Sequence, residues 1–309
     1  ATAFQKDPRR HPVIGHRHRF DAVTYQDLTG YHRKRYTTDR CFAVISGDFD
    51  ADLARESLSA LTKDCLPGCG REPLAVIDPP QLGPRLARET FAIPASRISM
   101  AWKSPALDHP DAPAFDVLAA VLGRGRASRL HRSLREEQGL ALEISAYSWT
   151  GPGREGIFGV SADAEPANRE ALIEAIRSEV AAISNSDLEA DIAKAKRQIA
   201  ASQFRSLTTA SGRASDLASN WHEARNLDFT RRHVAAIDAV TSDDVRRAAA
   251  LLTDERLTLT ILDPLDAPPP ARRGKTTRNR EDVTVHTLSN GLRIALLPVH
   301  GADADGRSL

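Results

Sequence analysis

Apolar positions recur first at helical and then at strand spacing along the chain. Val23, Leu28 and Tyr31 follow one another at helical spacing up to Tyr36. Thr24, with Asp27 three residues on, forms a capping-box start, so a helix is expected over 24–36. The run CFAVISGD at 41–48 is short and apolar and ends at Gly-Asp, which suits a buried strand enclosing Cys41. Asp50 is placed to cap a second helix whose apolar stripe is Leu53, Leu58 and Leu61. The stretch 65–85, CLPGCGREPLAVIDPPQLGPR, carries five prolines and three glycines. It can hold little regular structure and reads as an interdomain linker.

The pattern then restarts. Strands are expected over 86–93 and 97–104, the second alternating Ile98, Met100 and Trp102 on one face. A helix over 113–122, a Gly-Arg-Gly-Arg loop and a helix over 128–137 follow. The runs LALEISAYSW (140–149) and GIFGVSAD (156–163) form the next strand pair across a Gly/Pro turn. Two long helices, 166–183 and 187–205, come next, the second opened by a capping box of Ser186 and Glu189. Shorter helical stretches run to 252, and RLTLTIL at 256–262 closes the unit as a strand. Strands, helices, strands, helices and a final strand describe an α+β fold: a mostly antiparallel sheet with helices packed on one face. The helix–strand–helix at 20–64 resembles the closing part of a similar unit, so the domain is expected to be duplicated. A second Pro- and Arg-rich linker precedes a hairpin whose arms VTVHTL and LRIALL flank Ser289-Asn290-Gly291.

Composition narrows the class. A chain of 309 residues with 41% hydrophobic and 27% charged residues is ordinary globular protein. Forty-two Lys+Arg against 41 Asp+Glu leave a net charge of +1, so no strong field favours nucleic acid or an anionic membrane. No apolar run reaches membrane-span length, and three cysteines do not make a disulfide scaffold. Residue 1 is alanine and the one methionine is Met100. The opening residues read as the end of an element and the closing ones as the start of another. A piece of a longer protein is the expectation.

Candidate chemistry is sparse. A helix-borne zinc pair needs two histidines one turn apart with an acidic residue between them, and neither H-E-x-x-H nor H-x-x-E-H occurs among the ten histidines. His11, His16 and His18 cluster beside Arg9, Arg10, Arg17 and Arg19, whose charge opposes a dication. No metal site is therefore expected within this chain. Cys65 and Cys69 lack a second pair for a four-sulfur site; they could bridge or remain two thiols. Gly123-Arg124-Gly125-Arg126 lacks the Lys-Ser/Thr ending of a phosphate loop and reads as a tight basic turn. The basic stretches 32–35 and 272–280 read as solvated charge on a helix and in a linker.

Three segments carry a resemblance. HPVIGHRHRFDAVTYQDLTGYHRKRYTTDRCFAVISGDFD (11–50) resembles the stretch closing the first half-domain of the insulinase/pitrilysin family, zinc peptidases of the inverted H-x-x-E-H type. HPDAPAFDVLAAVLGRGRASRLHRSLREEQGLALEISAYSW (109–149) resembles the family's second-domain signature, and TVHTLSNGLRIALLP (284–298) its domain opening. The resemblance implies four homologous α+β domains whose two halves enclose a peptide chamber. On that scheme residues 1–73 finish a first peptidase-like domain, 74–265 form a complete second, non-zinc domain, 266–282 are a linker, and 283–309 open a third.

The same resemblance implies a zinc-dependent endopeptidase as the parent protein. Its zinc would be held outside these residues, and this segment would have no catalytic residue of its own and would supply chamber wall. A non-catalytic scaffold or partner subunit of the same family is the alternative. The third reading is a binding module with a basic loop at 124–132. Expected partners are peptide substrates and the remaining domains or a homologous subunit, with no nucleic acid and no membrane span; a periplasmic location is implied. In the family an Arg followed seven residues later by a Tyr holds substrate and helps stabilise the oxyanion. Arg135 matches that Arg and is the one substrate-binding candidate. The Tyr position is Leu142, which has no hydroxyl to donate. Arg135 as an ion-pair cation at a helix end is the competing reading.

Overall fold

Alternation is cleanest in β2 (Ser96–Ser104), where Ile98, Met100 and Trp102 are buried and Arg97, Ser99, Ala101 and Lys103 are not. β4 (Arg154–Ala164) runs antiparallel beside it, with Trp102 opposite Phe158, Met100 opposite Val160 and Ile98 opposite Ala162. Such same-face pairs are the unit that stabilises a sheet. β3 (Glu143–Gly151) pairs along the far side of β4. β5 (Thr258–Pro264) enters between β1 (Arg85–Phe91) and β2, parallel to the first and antiparallel to the second. The order β1-β5-β2-β4-β3 is the mostly antiparallel sheet of the expected α+β fold. The computed structural model describes residues 2–68, 77–266, 284–287 and 293–296. It divides into two units, Ala1–Pro268 and Pro269–Leu309.

The helical layer follows from the same patterning. α4 (Ala112–Gly123) is apolar on nearly every side and buries all its residues but Asp116, as a helix enclosed by other elements must. Phe115 meets Phe158 edge-on with ring centroids 6.0 Å apart, and the Trp102 and Phe158 centroids are 6.4 Å apart. Around this centre pack Leu172, Ile176 and Val180 of α5 (Arg169–Ala182), Ile192 and Ala195 of α6 (Glu189–Ser206), and Val245 of α9 (Ser242–Ala249). Each large side chain so buried contributes about 1.5–3 kcal/mol. The last residue of α4 is glycine because a Cβ there would stand 1.9 Å from the backbone nitrogen of Ala146 in β3. Only glycine lets the helix end so close to that strand.

A buried ionic cluster ties four elements together. Asp263 of β5 accepts from Ser96 Oγ at 2.6 Å and Arg169 Nη1 at 2.9 Å, and pairs with Arg88 Nη2 at 2.5 Å. Burial raises the carboxyl's pKa, but the Ser96 hydroxyl and the two guanidiniums outweigh it and hold it below the usual carboxylate range.

Several expectations need correction. Residues 41–48 form no strand, and Cys41, Phe42 and Ile45 are exposed. A strand needs a neighbour for its N–H and C=O groups, and none of the described residues pairs with this run. The 187–205 helix is not opened by Ser186 and Glu189. Its N-cap residue is Leu188, the backbone N–H of Glu189 is bonded by Asp187 Oδ1 at 3.2 Å, and Ser186 turns its hydroxyl to Ala182 O. Strand β3 starts three residues later than expected, since the N–H groups of Leu140 and Ala141 both donate to Leu134 O.

Other local signals hold. The Thr24/Asp27 capping box opens α2 (Tyr25–Arg35) and Asp50 caps α3 (Ala51–Thr62). Neither helix has a buried residue. In the second unit β6 (Thr284–Thr287) and β7 (Arg293–Leu296) pair antiparallel with Val285 opposite Ala295. The Asn290-Gly291 turn and Cys69 lie outside the described residues.

Candidate functional site

Arg135 sits in a π-helical segment, His131–Glu137, between α4 and β3. Its Nη1 lies 2.9 Å from Glu143 Oε2 and 3.3 Å from His131 Nε2. The guanidinium thus links the helical segment to the first residue of β3. Leu142, the position paired with it by resemblance, is 43% exposed and offers no polar atom beyond its backbone. Tyr147 lies on the other face of β3 from the buried Ile144, where its ring packs over Gly159.

That other face of the sheet is its second functional candidate. Ser99, Ala101, Thr258, Thr260 and Ala87 make a shallow floor of small side chains in the middle of the face. Tyr147, Ile157, Leu262 and Glu89, with Thr2 and Ala3, complete the lining of a 310 Å³ pocket. A floor of small residues lets another polypeptide approach the sheet closely.

A larger cleft of 770 Å³ opens on the helical side, between α4, α6, α7 (Ala210–Ser219), α8 (Phe229–Ala239) and the middle of β3. Asp116, the lone charge of α4, meets His233 Nε2 at 2.8 Å, and Phe229 stacks on the imidazole with centroids 5.4 Å apart. Beside them Asp216 Oδ1 accepts from Thr230 Oγ1 at 2.6 Å and Gln203 Nε2 at 2.9 Å, while Asn220 Nδ2 donates to Asp216 Oδ2 at 3.1 Å. Sequence reasoning missed these groups because the partners are separated by up to 117 residues. A charge in an otherwise apolar helix was the available signal for Asp116.

The remaining candidates resolve into surface features. His11, His16 and His18 are exposed and contact one another only as rings, 6.5 and 5.8 Å apart. The basic loop is largely paired: Arg126 with Glu136 at 3.7 Å, Arg129 with Asp191 at 2.7 Å and Arg132 with Glu137 at 3.8 Å. Gly125 adopts φ +83°, the left-handed geometry of a tight turn. Among the described residues no group of three or more His, Cys, Asp or Glu side chains could hold a metal ion, and no helix is long and apolar enough to cross a membrane.

A mostly antiparallel sheet with helices on one face and a small-residue floor on the other defines an α+β domain. The domain description "Peptidase M16 inactive domain" matches residues 22–199, and the chain belongs to this peptidase family, as its insulinase/pitrilysin-like motifs imply. An uncharacterized zinc protease of Streptomyces coelicolor is 26% identical over 276 residues, covering 85% of this chain and 59% of that protein. A mitochondrial-processing peptidase subunit alpha-2 of Dictyostelium discoideum is 31% identical over 190 residues, 56% of this chain and 41% of its own. The fold is shared with a protease from Helicobacter pylori, at a TM-score of 0.77 and 21% identity over 85% of this chain and 65% of that one. The chain spans about three-fifths of the length of the zinc proteases it matches.

Proposed function

We propose that the chain is the non-zinc-binding part of a zinc-dependent endopeptidase, and that its open sheet face lines the space in which a peptide is held. The observation carrying this reading is the match to the family's inactive domain, combined with a sheet face whose floor is Ala, Ser and Thr. Residues 1–73 would then close a first domain, 74–265 be the second and 283–309 open a third. Ten exposed large apolar side chains between Val23 and Leu61 support that division, because an apolar surface of this extent calls for a covering partner. Zinc, named in the relatives, would be held outside these residues, and the protein would work in the periplasm.

Within the wall Arg135 would serve chiefly as a cation fixing the helical segment to β3. Glu143 at 2.9 Å already engages it, and Leu142 supplies no hydroxyl for a shared substrate contact. The test uses the full-length parent protein and a quenched-fluorescent peptide, with and without a zinc chelator. Chelator-sensitive cleavage supports the peptidase reading. Peptide binding without cleavage supports the second reading, a non-catalytic scaffold or partner subunit of the same family. Absence of both binding and cleavage refutes each.

A further inference from the structure

The first residues of the chain grip the sheet through one buried carboxylate. Asp78 is 8% exposed and its Oδ1 accepts from three consecutive backbone N–H groups, of Gln5 at 2.8 Å, Lys6 at 2.7 Å and Asp7 at 3.1 Å. Successive N–H groups converging on one anion form a nest, in which each bond is charge-assisted. Oδ2 takes Lys103 Nζ of β2 at 2.8 Å. One carboxylate therefore joins residues 5–7, the Pro-rich linker and the middle of the sheet.

Further contacts seat the same segment. Arg85 Nη1 donates to Ala3 O at 2.7 Å, and Arg9 Nη1 to Glu155 O at 2.7 Å. The Arg9 guanidinium lies 4.2 Å above the Phe4 ring and 5.4 Å from that of Trp149, and Phe4 is 7% exposed. By contrast α2 and α3, which follow in the chain, bury no residue. Residues 2–9 thus run against the open sheet face, where Thr2 and Ala3 help line its pocket.

We propose that residues 2–9 are a latch, closed on Asp78 and Lys103, that covers one end of the open sheet face and uncovers it on release. The mechanism is local. The latch's polar contacts with the rest of the domain are to Asp78, to Arg85, to Arg154, whose Nη1 lies 3.6 Å from Asp7 Oδ2, and to Glu155 O, whereas the sheet beneath is held by its own ladder and by Ile98, Met100 and Trp102 on the opposite face. Loss of the Asp78 charge would free residues 5–7 and leave the core intact. Nothing in this reasoning depends on the peptidase reading.

The test is amide hydrogen exchange, residue by residue, on the 309-residue chain and on Asp78→Ala. The variant is expected to speed exchange at Gln5, Lys6 and Asp7 by on the order of 10–100-fold, the loss of a charge-assisted bond. Amides of Met100 and Val160 keep their protection. Lys103→Met should accelerate the same three amides by a smaller factor, since the nest remains and only its counter-charge is lost. Should Asp78→Ala not fold, Asp78→Asn retains the shape and an uncharged acceptor and is expected to give an intermediate acceleration. Unchanged exchange at residues 5–7, or protection lost in step there and at Met100, would overturn the latch. The second outcome would make Asp78 a support of the whole fold.

Discussion

Replacing Asp263 with asparagine probes the reasoning behind the buried ionic cluster. The carboxylate is 2% exposed, as is Arg169, and it faces two guanidiniums and a hydroxyl at hydrogen-bond distance. Asparagine keeps the shape and one acceptor but removes the charge that faces the buried Arg169 at 2.9 Å, while the half-exposed Glu170 stays 3.2 Å from its Nε. Breaking a buried pair from one side costs about 3–5 kcal/mol, a large share of the roughly 5–15 kcal/mol that holds a domain together. With a urea m-value of about 2 kcal/mol/M, the midpoint should fall by roughly 1.5–2.5 M. The pH dependence carries its own sign. A carboxyl whose folded pKa is depressed contributes stability above the unfolded value of about 3.9 and loses it as pH falls through the folded value. Wild type should therefore lose stability below about pH 4 along a limb that Asp263→Asn lacks in part. Urea titrations at pH 7 and pH 3 measure both effects. A midpoint change under 0.5 M at pH 7, or identical acid limbs, would refute the reasoning.

Gly123→Ala places a methyl 1.9 Å from the Ala146 nitrogen. It should destabilise by about 1–3 kcal/mol as α4 is pushed off β3, read as a lowered denaturation midpoint. Thr241→Ala removes the box that opens α9, where the Thr241 hydroxyl and N–H, with Arg247 beyond, bring the Asp244 pKa down to about 2. NMR titration should show Asp244 rising toward the ordinary value. The stability lost on acidification should then disappear nearer pH 4 than pH 2, with about 1 kcal/mol lost at neutral pH.

How much was legible depended on the range of the physics involved. Helix starts at Thr24 and Asp50 are decided by side chains within three residues of the cap, so they could be read directly. Ser186 failed because a nearer carboxylate, Asp187, took the first N–H of α6, a competition that residue type alone does not rank. The run 41–48 failed for a different reason: apolar alternation states that a strand could form, while pairing needs a second strand. Of the site, the basic turn and the Leu142 departure were visible. The Asp116–His233 pair and the Asp78 nest were not, because nothing local marks residues 71 to 117 apart as neighbours.

The sequence by itself determined the family, the α+β class and most strands and helices between 85 and 264, since periodicity, caps and motif spacing are local properties of the chain. Tertiary structure alone decided that β5 lies between β1 and β2, that β1 and β5 run parallel, and that Asp263 meets Arg169 across 94 residues. Burial is the physical reason. Which strand fills a gap in the sheet, and which charges can be enclosed together, depend on what the whole fold removes from water.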